Sequence, residues 1–329
     1  MYRIAVDLQG ADNPPEVLAD GVIRALADSS DLCVYLCGDK ENTEKMFEGK
    51  GVDMKRLIIV DAPETILNDE DPVAAVGIKK NSSLAVGMGL CKSGDVGAFV
   101  TCGATGGIFV TAMKTLERIG SPVLLAELRK ADGTPFCIAD CGANVDCRAE
   151  KLVHFARMGK AYMKALGVEN PRISLLSNGA EDGKGNAVTK KANALLREAE
   201  GLNFTGNIEG TDILMGTTDV VVCEGFSGNI LLKTIEGSVK AVLGEGVAMF
   251  EKVSSADDAR RDDLYRVFKR LYNQYDYTEL GGGVLLGFKA PIIKGHGAAT
   301  AETVYHIIKN AYALVRNDLI RKIEAEFSE

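Results

Sequence analysis

Five short segments of this chain share one pattern, an apolar run typical of a β-strand that ends in a glycine-rich polar turn. Helical patterns separate the runs, and this alternation predicts βαβ crossovers and a parallel sheet with helices on both faces. Ligands bind beyond the carboxyl ends of such strands, so we expect five ends on one rim to form a site for an anion. The segments are Arg3–Asn13, Ala98–Gly107, Phe136–Asn144, Arg172–Asn186 and Val220–Asn229.

The bulk composition is that of a chain with a large core and an acidic surface. The 329 residues are 46% apolar, the net charge is −8 and the isoelectric point is near 5.2. A general nucleic-acid binder needs a basic footprint, so we expect no nucleic-acid partner. No apolar run approaches the roughly 20 residues that span a bilayer. The chain begins directly in a strand without a signal-peptide layout, which predicts a cytoplasmic protein.

The cysteines and histidines show no metal signature. There is no Cys-x-x-Cys pair among the eight cysteines, and the three histidines are scattered. Cysteines within apolar runs are expected to pack as small hydrophobes. These are Cys33, Cys37, Cys91, Cys137 and Cys223.

The chain reads as a single α/β domain over residues 1–329, with one helical excursion over about 230–280. Apolar spacing predicts helices over Pro14–Leu26, Ser82–Cys91, Gly107–Ile119, Glu150–Leu166, Ala187–Ala199 and Ala301–Phe327. The excursion has no strand pattern and two helical patterns. The apolar stripe of the second comprises Leu264, Val267, Phe268, Leu271, Tyr272 and Tyr275. We favour a helix packed on its neighbour or on a second subunit over one that meets a membrane or an acidic partner.

Lys184 lies between Gly183 and Gly185 in the turn that ends at Asn186. The spacing of the glycines differs from that of a Walker A loop, which argues against ATP chemistry here. Backbone amides and one cation at a strand-to-helix turn nevertheless suit an anion. The alternative is a flexible loop with a solvated lysine.

The turn over 103–107 precedes a predicted helix. A glycine-rich helix N-terminus attracts phosphate through free N–H groups and the helix dipole. The turn lacks the spacing of a dinucleotide fingerprint. The alternative is that its glycines serve only tight packing.

Asn229 and His296 are the other candidates for catalysis. Asn229 follows Gly228 and is expected at or near a helix N-cap, where its amide either caps the helix or contacts a carbonyl or phosphate oxygen. His296, between two glycines at a strand end, is placed to bind an anion or to protonate a leaving group. A serine nucleophile lacks its motif at Ser227, and a thiol nucleophile at Cys102 or Cys141 has little support. Direct attack by a bound anion fits the pattern better.

The turns as an ordered set resemble the bacterial phosphate acyltransferase family of phospholipid synthesis, called PlsX. The match runs from the first strand to the last helix. The motifs that carry it are Val6-Asp7-x-x-Gly10-x-Asp12-Asn13, Ala143-Asn144-Val145-Asp146-Cys147, Glu181-x-Gly183-Lys184-Gly185-Asn186, the segment over 201–210, Gly225-Phe226-x-Gly228-Asn229-x-Leu231-Leu232-Lys233 and Lys294-x-His296-Gly297.

The resemblance implies an enzyme that moves a long acyl chain from acyl carrier protein to inorganic phosphate, giving acyl phosphate for a membrane acyltransferase. It implies a three-layer α/β/α fold related to phosphotransacetylases and isocitrate and isopropylmalate dehydrogenases. It also implies a homodimer, a cytoplasmic location with peripheral membrane attachment, and no metal or organic cofactor. The expected catalytic residues are Lys184, Asn229 and His296. The expected substrate-binding residues are Asp7, Asp12, Asn13, Gly103, Thr105, Gly106, Asn144, Gly183, Gly185, Asn186 and Gly228.

The chain departs from the family pattern at Ala104, Thr211 and Ala298, where the family usually carries Asn, Arg and Ser. Two alternatives therefore stay open beside the acyl-carrier-dependent enzyme. One is a phosphotransacylase acting on short-chain acyl-CoA. The other is a diverged, non-catalytic protein that binds acyl carrier protein.

Overall fold

Eleven strands form one continuous sheet in the computed structural model, which describes residues 1–252, 258–275 and 282–328. Their order across the sheet is β3-β2-β1-β4-β11-β10-β5-β6-β9-β7-β8. The bounds are β1 (Tyr2–Asp7), β2 (Leu32–Gly38), β3 (Leu57–Asp61), β4 (Ala98–Thr101), β5 (Arg118–Arg129), β6 (Pro135–Ala139), β7 (Ile173–Leu176), β8 (Phe204–Ile208), β9 (Val220–Val222), β10 (Gly283–Phe288) and β11 (Ile292–Lys294).

Two parallel half-sheets of opposite direction meet within this sheet. The strands β3, β2, β1, β4 and β11 run parallel to one another, and so do β6, β9, β7 and β8. The long strand β5 joins the halves by pairing antiparallel with β10 on one side and with β6 on the other. In the register of these pairs Ala126 lies opposite Gly283, and Leu125 lies opposite Ala139. The carboxyl ends of β11 and β6 therefore approach the middle of β5 from opposite directions.

The prediction of five strand ends on one rim of a parallel sheet was wrong. The turns after β1 and β4 belong to one half-sheet, and those after β6, β7 and β9 belong to the other, which runs the opposite way. The antiparallel strands β5 and β10 cause the reversal, and neither was among the five segments. The turns nearest the junction still face one another across it.

Helices cover both faces of the sheet. They are α1 (Pro15–Ala27), α2 (Lys40–Phe47), α3 (Pro72–Ile78), α4 (Ser83–Ser93), α5 (Thr105–Thr115), α6 (Ala149–Ala165), α7 (Ala187–Glu198), α8 (Gly225–Lys252), α9 (Asp258–Tyr275), α10 (Ala301–Arg316) and α11 (Leu319–Glu326). Ile4 and Val6 of β1 join one core with α1, α6 and α10, whereas Ala5 joins another with α4 and α5. The prediction of a three-layer α/β fold with a mainly parallel sheet is confirmed.

The predicted helix over Ala301–Phe327 is in fact two helices. Asp318 adopts φ 52°, a left-handed conformation uncommon for a residue with a side chain, and it separates α10 from α11. Val315, Leu319 and Ile323 follow one another at four-residue intervals across Asp318, so the apolar helical spacing continues through the break. The apolar periodicity of the sequence therefore does not reveal the break at Asp318.

The predicted excursion contains α8 and α9, which pack against each other. A β-carbon on Gly246 would lie 2.8 Å from Phe268, so the absence of a side chain lets that ring approach α8. Phe268, Tyr272 and Tyr275 are half-buried, whereas Val267 and Leu271 are exposed. Packing on a neighbouring helix therefore accounts for part of the predicted stripe. The excursion also includes 253–257 and 276–280, which lie outside the described residues.

The five cysteines expected in the core are buried. Across the described ranges, the helices all fall short of the length and apolarity needed to cross a membrane.

Candidate active site

A cavity of about 360 Å³, here called the junction cavity, lies where the two half-sheets meet. Its walls come from the turns after β4, β6, β9 and β11, and from β5 and the start of β10. The lining residues are Thr105, Leu124, Cys141, Gly142, Val145, Gly225, Phe226, Asn229, Leu232, Lys233, Gly282, Gly283, Lys294, Gly295 and His296. Three turns that carry predicted site residues, those over 103–107, 225–229 and 294–297, contribute to this lining.

The N-terminus of α5 contributes Thr105 to this cavity. Gly10 packs against the preceding turn, since a β-carbon on Gly10 would lie 3.2 Å from the Cα of Gly103. Ala104 occupies the N-cap position and provides no side-chain acceptor. The first N–H groups of α5 therefore gain no partner from the N-cap side chain, which leaves them available to an anion.

Asp7 holds the same turn from beneath. Its carboxylate accepts hydrogen bonds from the Gln9 N–H at 2.8 Å and from the Thr101 hydroxyl at 2.9 Å. Thr101 Oγ1 in turn accepts from the Gly103 N–H at 3.0 Å. Burial raises the pKa of Asp7 to about 6. Asp7 does not line the junction cavity, and the structure brings it to the site only through Thr101 and Gly103.

Asp140 and Asn144 shape the opposite wall. The buried Asp140 carboxylate accepts from the N–H groups of Leu124 at 2.9 Å and Asn144 at 2.6 Å, and from the Asn144 side-chain amide at 2.8 Å. Those bonds tie the turn after β6 to the middle of β5. The carbonyl of Asn144 accepts from the Gly225 N–H at 2.7 Å, which fixes the start of α8. Asn144 is therefore a structural residue behind the cavity wall.

Two glycines let α8 begin against this turn. A β-carbon on Gly228 would lie 1.8 Å from the Asp140 carbonyl oxygen, and one on Gly225 would lie 2.7 Å from the Asn144 carbonyl oxygen. The prediction that Asn229 lies at or near an N-cap was wrong. Glu224 precedes the helix and accepts from the Ser227 N–H at 3.0 Å, so it performs the capping. Asn229 is exposed in the second turn and lines the junction cavity.

Two lysines make one side of the cavity cationic. Burial lowers the pKa of Lys294, and the positive charge of nearby Lys233 lowers it further. The Nζ of Lys294 donates to the Gly295 carbonyl at 3.1 Å. Within the described ranges it makes no ion pair, whereas Lys233 pairs with Glu236 at 2.7 Å. A half-buried cation without a carboxylate partner favours the binding of an anion.

His296 is exposed at the edge of the cavity. Its Nδ1 lies 3.5 Å from the Ala298 backbone nitrogen, at the outer limit of a hydrogen bond. The predicted residues Asp12 and Asn13 support this loop from β1. The Asp12 N–H donates to the Gly297 carbonyl, and the Asn13 amide donates to the Ala299 carbonyl, both at 2.8 Å.

The thiols do not suit nucleophilic attack. Burial raises the pKa of Cys102 to about 12 and that of Cys141 well above its usual value. A nucleophilic cysteine needs a lowered pKa. Cys141 instead extends an apolar wall that also contains Leu124, Val145, Phe226 and Leu232.

The turn around Lys184, over 183–186, does not line the junction cavity. Lys184 is exposed and lies against Gly179, and the Gly185 N–H donates to Asn178 Oδ1 at 2.8 Å. Asn186 caps α7 by accepting from the Thr189 N–H at 2.9 Å. The turn follows β7, two strands beyond β6, on the other side of α8. The structure thus separates Lys184 from Asn229 and His296.

Sequence reasoning did not select Lys233 or Lys294 as site residues. Lys233 follows Asn229 by four residues in a helix, which places both on one face. Lys294 ends β11, immediately after two buried isoleucines. Its position at the carboxyl end of a buried strand, two residues before His296, could have indicated Lys294 as a site residue.

Comparison with protein families finds one model along almost the whole chain. It is described as a fatty acid synthesis protein and matches residues 2–322. A phosphate acyltransferase from Caldanaerobacter subterraneus is 41% identical over 98% of this chain and 97% of its own length. One from Geobacillus thermodenitrificans is 39% identical over 98% of both chains.

Solved structures share the fold at low sequence identity. A phosphotransacetylase from Streptococcus pyogenes aligns with a TM-score of 0.64 and 18% identity, covering 96% of this chain and 94% of its own. A 4-hydroxythreonine-4-phosphate dehydrogenase from Klebsiella pneumoniae aligns with a TM-score of 0.57 and 14% identity over 96% of this chain and 100% of its own. These likenesses confirm the predicted relation in fold to phosphotransacetylases.

Proposed function

This chain belongs to the phosphate acyltransferase family and is an acyltransferase, and on that premise we propose that inorganic phosphate binds in the junction cavity and accepts a long acyl chain from acyl carrier protein. The observation that carries the proposal is Lys294, a half-buried cation that has no carboxylate partner in the described ranges and lies in a cavity with Lys233. Phosphate would balance the charge of Lys294, since Lys233 is already paired with Glu236, and would accept hydrogen bonds from the first N–H groups of α5.

The apolar wall suits the other substrate. The side chains of Leu124, Val145, Phe226 and Leu232 would contact the first carbons of the acyl group. The thioester carbonyl then lies between this wall and the cationic side, close to the bound phosphate. Holding two reactants together in this way can remove roughly 7–11 kcal/mol of the barrier.

The reaction is a direct acyl transfer. A phosphate oxygen attacks the thioester carbonyl carbon, a carbon–oxygen bond forms, and negative charge develops on the carbonyl oxygen. The Asn229 amide would donate a hydrogen bond to that oxygen. The carbon–sulfur bond then breaks, giving acyl phosphate and a thiolate. His296 would donate a hydrogen bond from Nε2 to the sulfur as it leaves, and the proton released from the phosphate passes through water to the thiolate.

Thr105, Gly103 and Gly106 belong to the proposed phosphate site through the backbone of the turn before α5. Asp7, Asp12, Asn13, Asn144 and Gly228 are proposed to position it, since their bonds and close contacts hold its walls. Lys184, with Gly183, Gly185 and Asn186, is proposed to contact a charged part of the acyl donor beyond α8.

The homodimer, the cytoplasmic location and the peripheral attachment to the membrane are proposed from family membership. Exposed apolar side chains on α8 and α9 support a further contact there. They are Val242, Met249, Val267 and Leu271.

The experiment is a phosphate-dependent assay of the pure protein. Palmitoyl carrier protein and labelled phosphate are expected to give labelled acyl phosphate, and acetyl-CoA is expected to give far less. Preference for acetyl-CoA would identify the short-chain phosphotransacylase. Binding of the carrier without any labelled product would identify a non-catalytic relative and contradict the proposal.

A further inference from the structure

A second groove, here called the α8 groove, lies across α8 from the junction cavity. Its volume is about 570 Å³, within the range of small-molecule sites. The lining residues are Ser177, Asn178, Glu209, Gly210, Thr211, Leu214, Leu231, Thr234, Ile235, Ser238 and Val239. The α8 residues in this set lie about half a turn around the helix from those that line the junction cavity. The two sites therefore share α8 as a common wall.

The lining of the α8 groove is both apolar and hydrogen-bonding. The lining contains apolar side chains, namely Leu214, Leu231, Ile235 and Val239, together with hydroxyl and amide groups from the turns after β7 and β8. Glu209 is the one charged side chain in the lining contributed by the described residues. A purely hydrocarbon occupant would leave these hydroxyl and amide groups without partners.

Ser177 adds a buried hydroxyl group beside this polar lining. Its Oγ is buried and has no hydrogen-bond partner within the ranges that the structure describes. Buried hydroxyl groups nearly always have a partner, and an unpartnered one calls for an explanation. A ligand that carries amide or hydroxyl groups on an apolar chain would meet both features of this groove.

An apolar ridge connects the groove with the junction cavity. Phe226 lines the cavity and is 58% exposed, and Ile230, one turn later, is 49% exposed. Thr234 comes one turn after Ile230 and lines the groove. Residues four apart lie above one another on a helix, so these three form a continuous surface from one site to the other.

A cation stands beside the far side of the groove. The Gly185 N–H donates to Asn178 Oδ1 at 2.8 Å, which fixes the turn of Lys184 next to a lining residue. Lys184 is exposed, and none of the ion pairs in the described residues involves it. It is therefore available to an anionic group at the end of a ligand that lies in the groove.

We propose that the α8 groove binds the pantetheine arm of the thioester donor, with the sulfur at the junction cavity and the phosphoester end near Lys184. The arm is a linear chain with two amides, a hydroxyl group and apolar carbons, and so it matches the mixed lining. This inference rests on the proposed function, which requires a thioester donor. Acyl carrier protein and coenzyme A both carry the arm.

A bulky substitution in the groove tests this assignment. In Ser238→Trp the indole fills the groove, and Lys240→Trp places the same ring on an exposed position of α8 as the control. We expect Ser238→Trp to raise KM for palmitoyl carrier protein and palmitoyl-CoA by about tenfold or more, a change of roughly 1.4 kcal/mol in binding. KM for phosphate should stay at the wild-type value. The palmitoyl thioester of ethanethiol, which lacks the arm, should react equally with both variants.

The outcomes separate the alternatives. If KM rises for palmitoyl-CoA alone, coenzyme A is the source of the arm that the groove binds. If KM rises for palmitoyl carrier protein but not for palmitoyl-CoA, the groove binds the protein surface of the carrier, and the proposal is overturned. An equal rise in KM of Ser238→Trp for the ethanethiol ester would also overturn it. So would equal KM values for Ser238→Trp and Lys240→Trp.

A separate experiment distinguishes failure of the proposed function from failure of this assignment. If the wild-type protein makes no acyl phosphate from any donor, titration calorimetry with 4′-phosphopantetheine still tests whether the α8 groove binds the arm. Binding that Ser238→Trp weakens by about tenfold supports the assignment. Absence of binding to the wild-type protein contradicts it.

Discussion

Gly228 and Asp140 are in such close contact that a β-carbon on the glycine would lie 1.8 Å from the aspartate's carbonyl oxygen. That contact fixes the start of α8 against the turn after β6, and with it the position of Asn229 in the junction cavity. Two backbone segments from the same half-sheet thus set one wall of the site.

Gly228→Ala is expected to disrupt this wall. The methyl group has no space against backbone atoms, so α8 must shift, at a cost of roughly 3 kcal/mol or more in the free energy of unfolding. Urea unfolding measures this cost. Gly237→Ala is the control, because a β-carbon at Gly237 meets nothing within 4 Å. It is expected to stabilise the helix by roughly 0.5–1 kcal/mol. Equal stability of the two variants would contradict the close contact.

His296→Ala is expected to slow turnover by about 100-fold without unfolding the protein, because the leaving thiolate loses a hydrogen-bond donor. The measurement is kcat for acyl phosphate formation together with the melting temperature. His306→Ala is the control. That residue pairs with Glu302 at 2.9 Å in α10 and does not line the cavity. A wild-type rate in His296→Ala would remove His296 from the reaction.

Asp7→Asn is expected to change how stability depends on pH. Burial raises the pKa of Asp7 to about 6 in the folded protein, above its value of 3.8 when exposed. The folded state therefore holds this proton more tightly, and the stabilisation is present at low pH and lost as the pH rises through about 6. Between about pH 4.5 and pH 7 the wild-type protein should lose roughly 2 kcal/mol relative to Asp7→Asn. Parallel curves for the two proteins in urea unfolding would show that Asp7 titrates normally.

The lowered pKa of Lys294 predicts a pH dependence of phosphate binding. Burial favours its neutral form, so the lysine loses its charge at a lower pH than an exposed lysine does. KM for phosphate should rise with pH in the alkaline range, and the rise should begin at a lower pH than the titration of an exposed lysine would produce. Lys294→Arg should flatten this rise, because arginine remains protonated. A rise of the same size in Lys294→Arg would show that another group titrates.

Much of the fold followed from the chain because its strands and helices carry strong local patterns. The turns over 103–107, 225–229 and 294–297 were recognised as site turns, since glycines and polar residues follow buried strands there. The reversal of sheet direction at β5 was not recognised. Strand direction depends on pairing between distant segments, and the register of Leu125 with Ala139 has no local trace.

Dependence on distant segments also explains why the sequence could not distinguish the lysine of the site from a similar one. Lys184 and Lys294 look alike in sequence, as lysines beside glycines after a strand. Only the assembled sheet shows that Lys294 lies at the junction of the half-sheets while Lys184 lies beyond α8. Asn229 was expected at an N-cap because the earlier residue Glu224 is a less common cap than Asn.

The most direct test of the junction cavity as the phosphate site is the equilibrium binding of phosphate to the wild-type protein, Lys294→Met and Lys184→Met. Methionine keeps the length of the side chain and removes the charge. Hydrogen bonds to charged groups contribute roughly 1.5–3 kcal/mol, so Lys294→Met should weaken binding by about 10- to 100-fold, and Lys184→Met should leave it near the wild-type value. Unchanged phosphate binding in Lys294→Met, with loss in Lys184→Met, would contradict the account and move the phosphate site to the other side of α8.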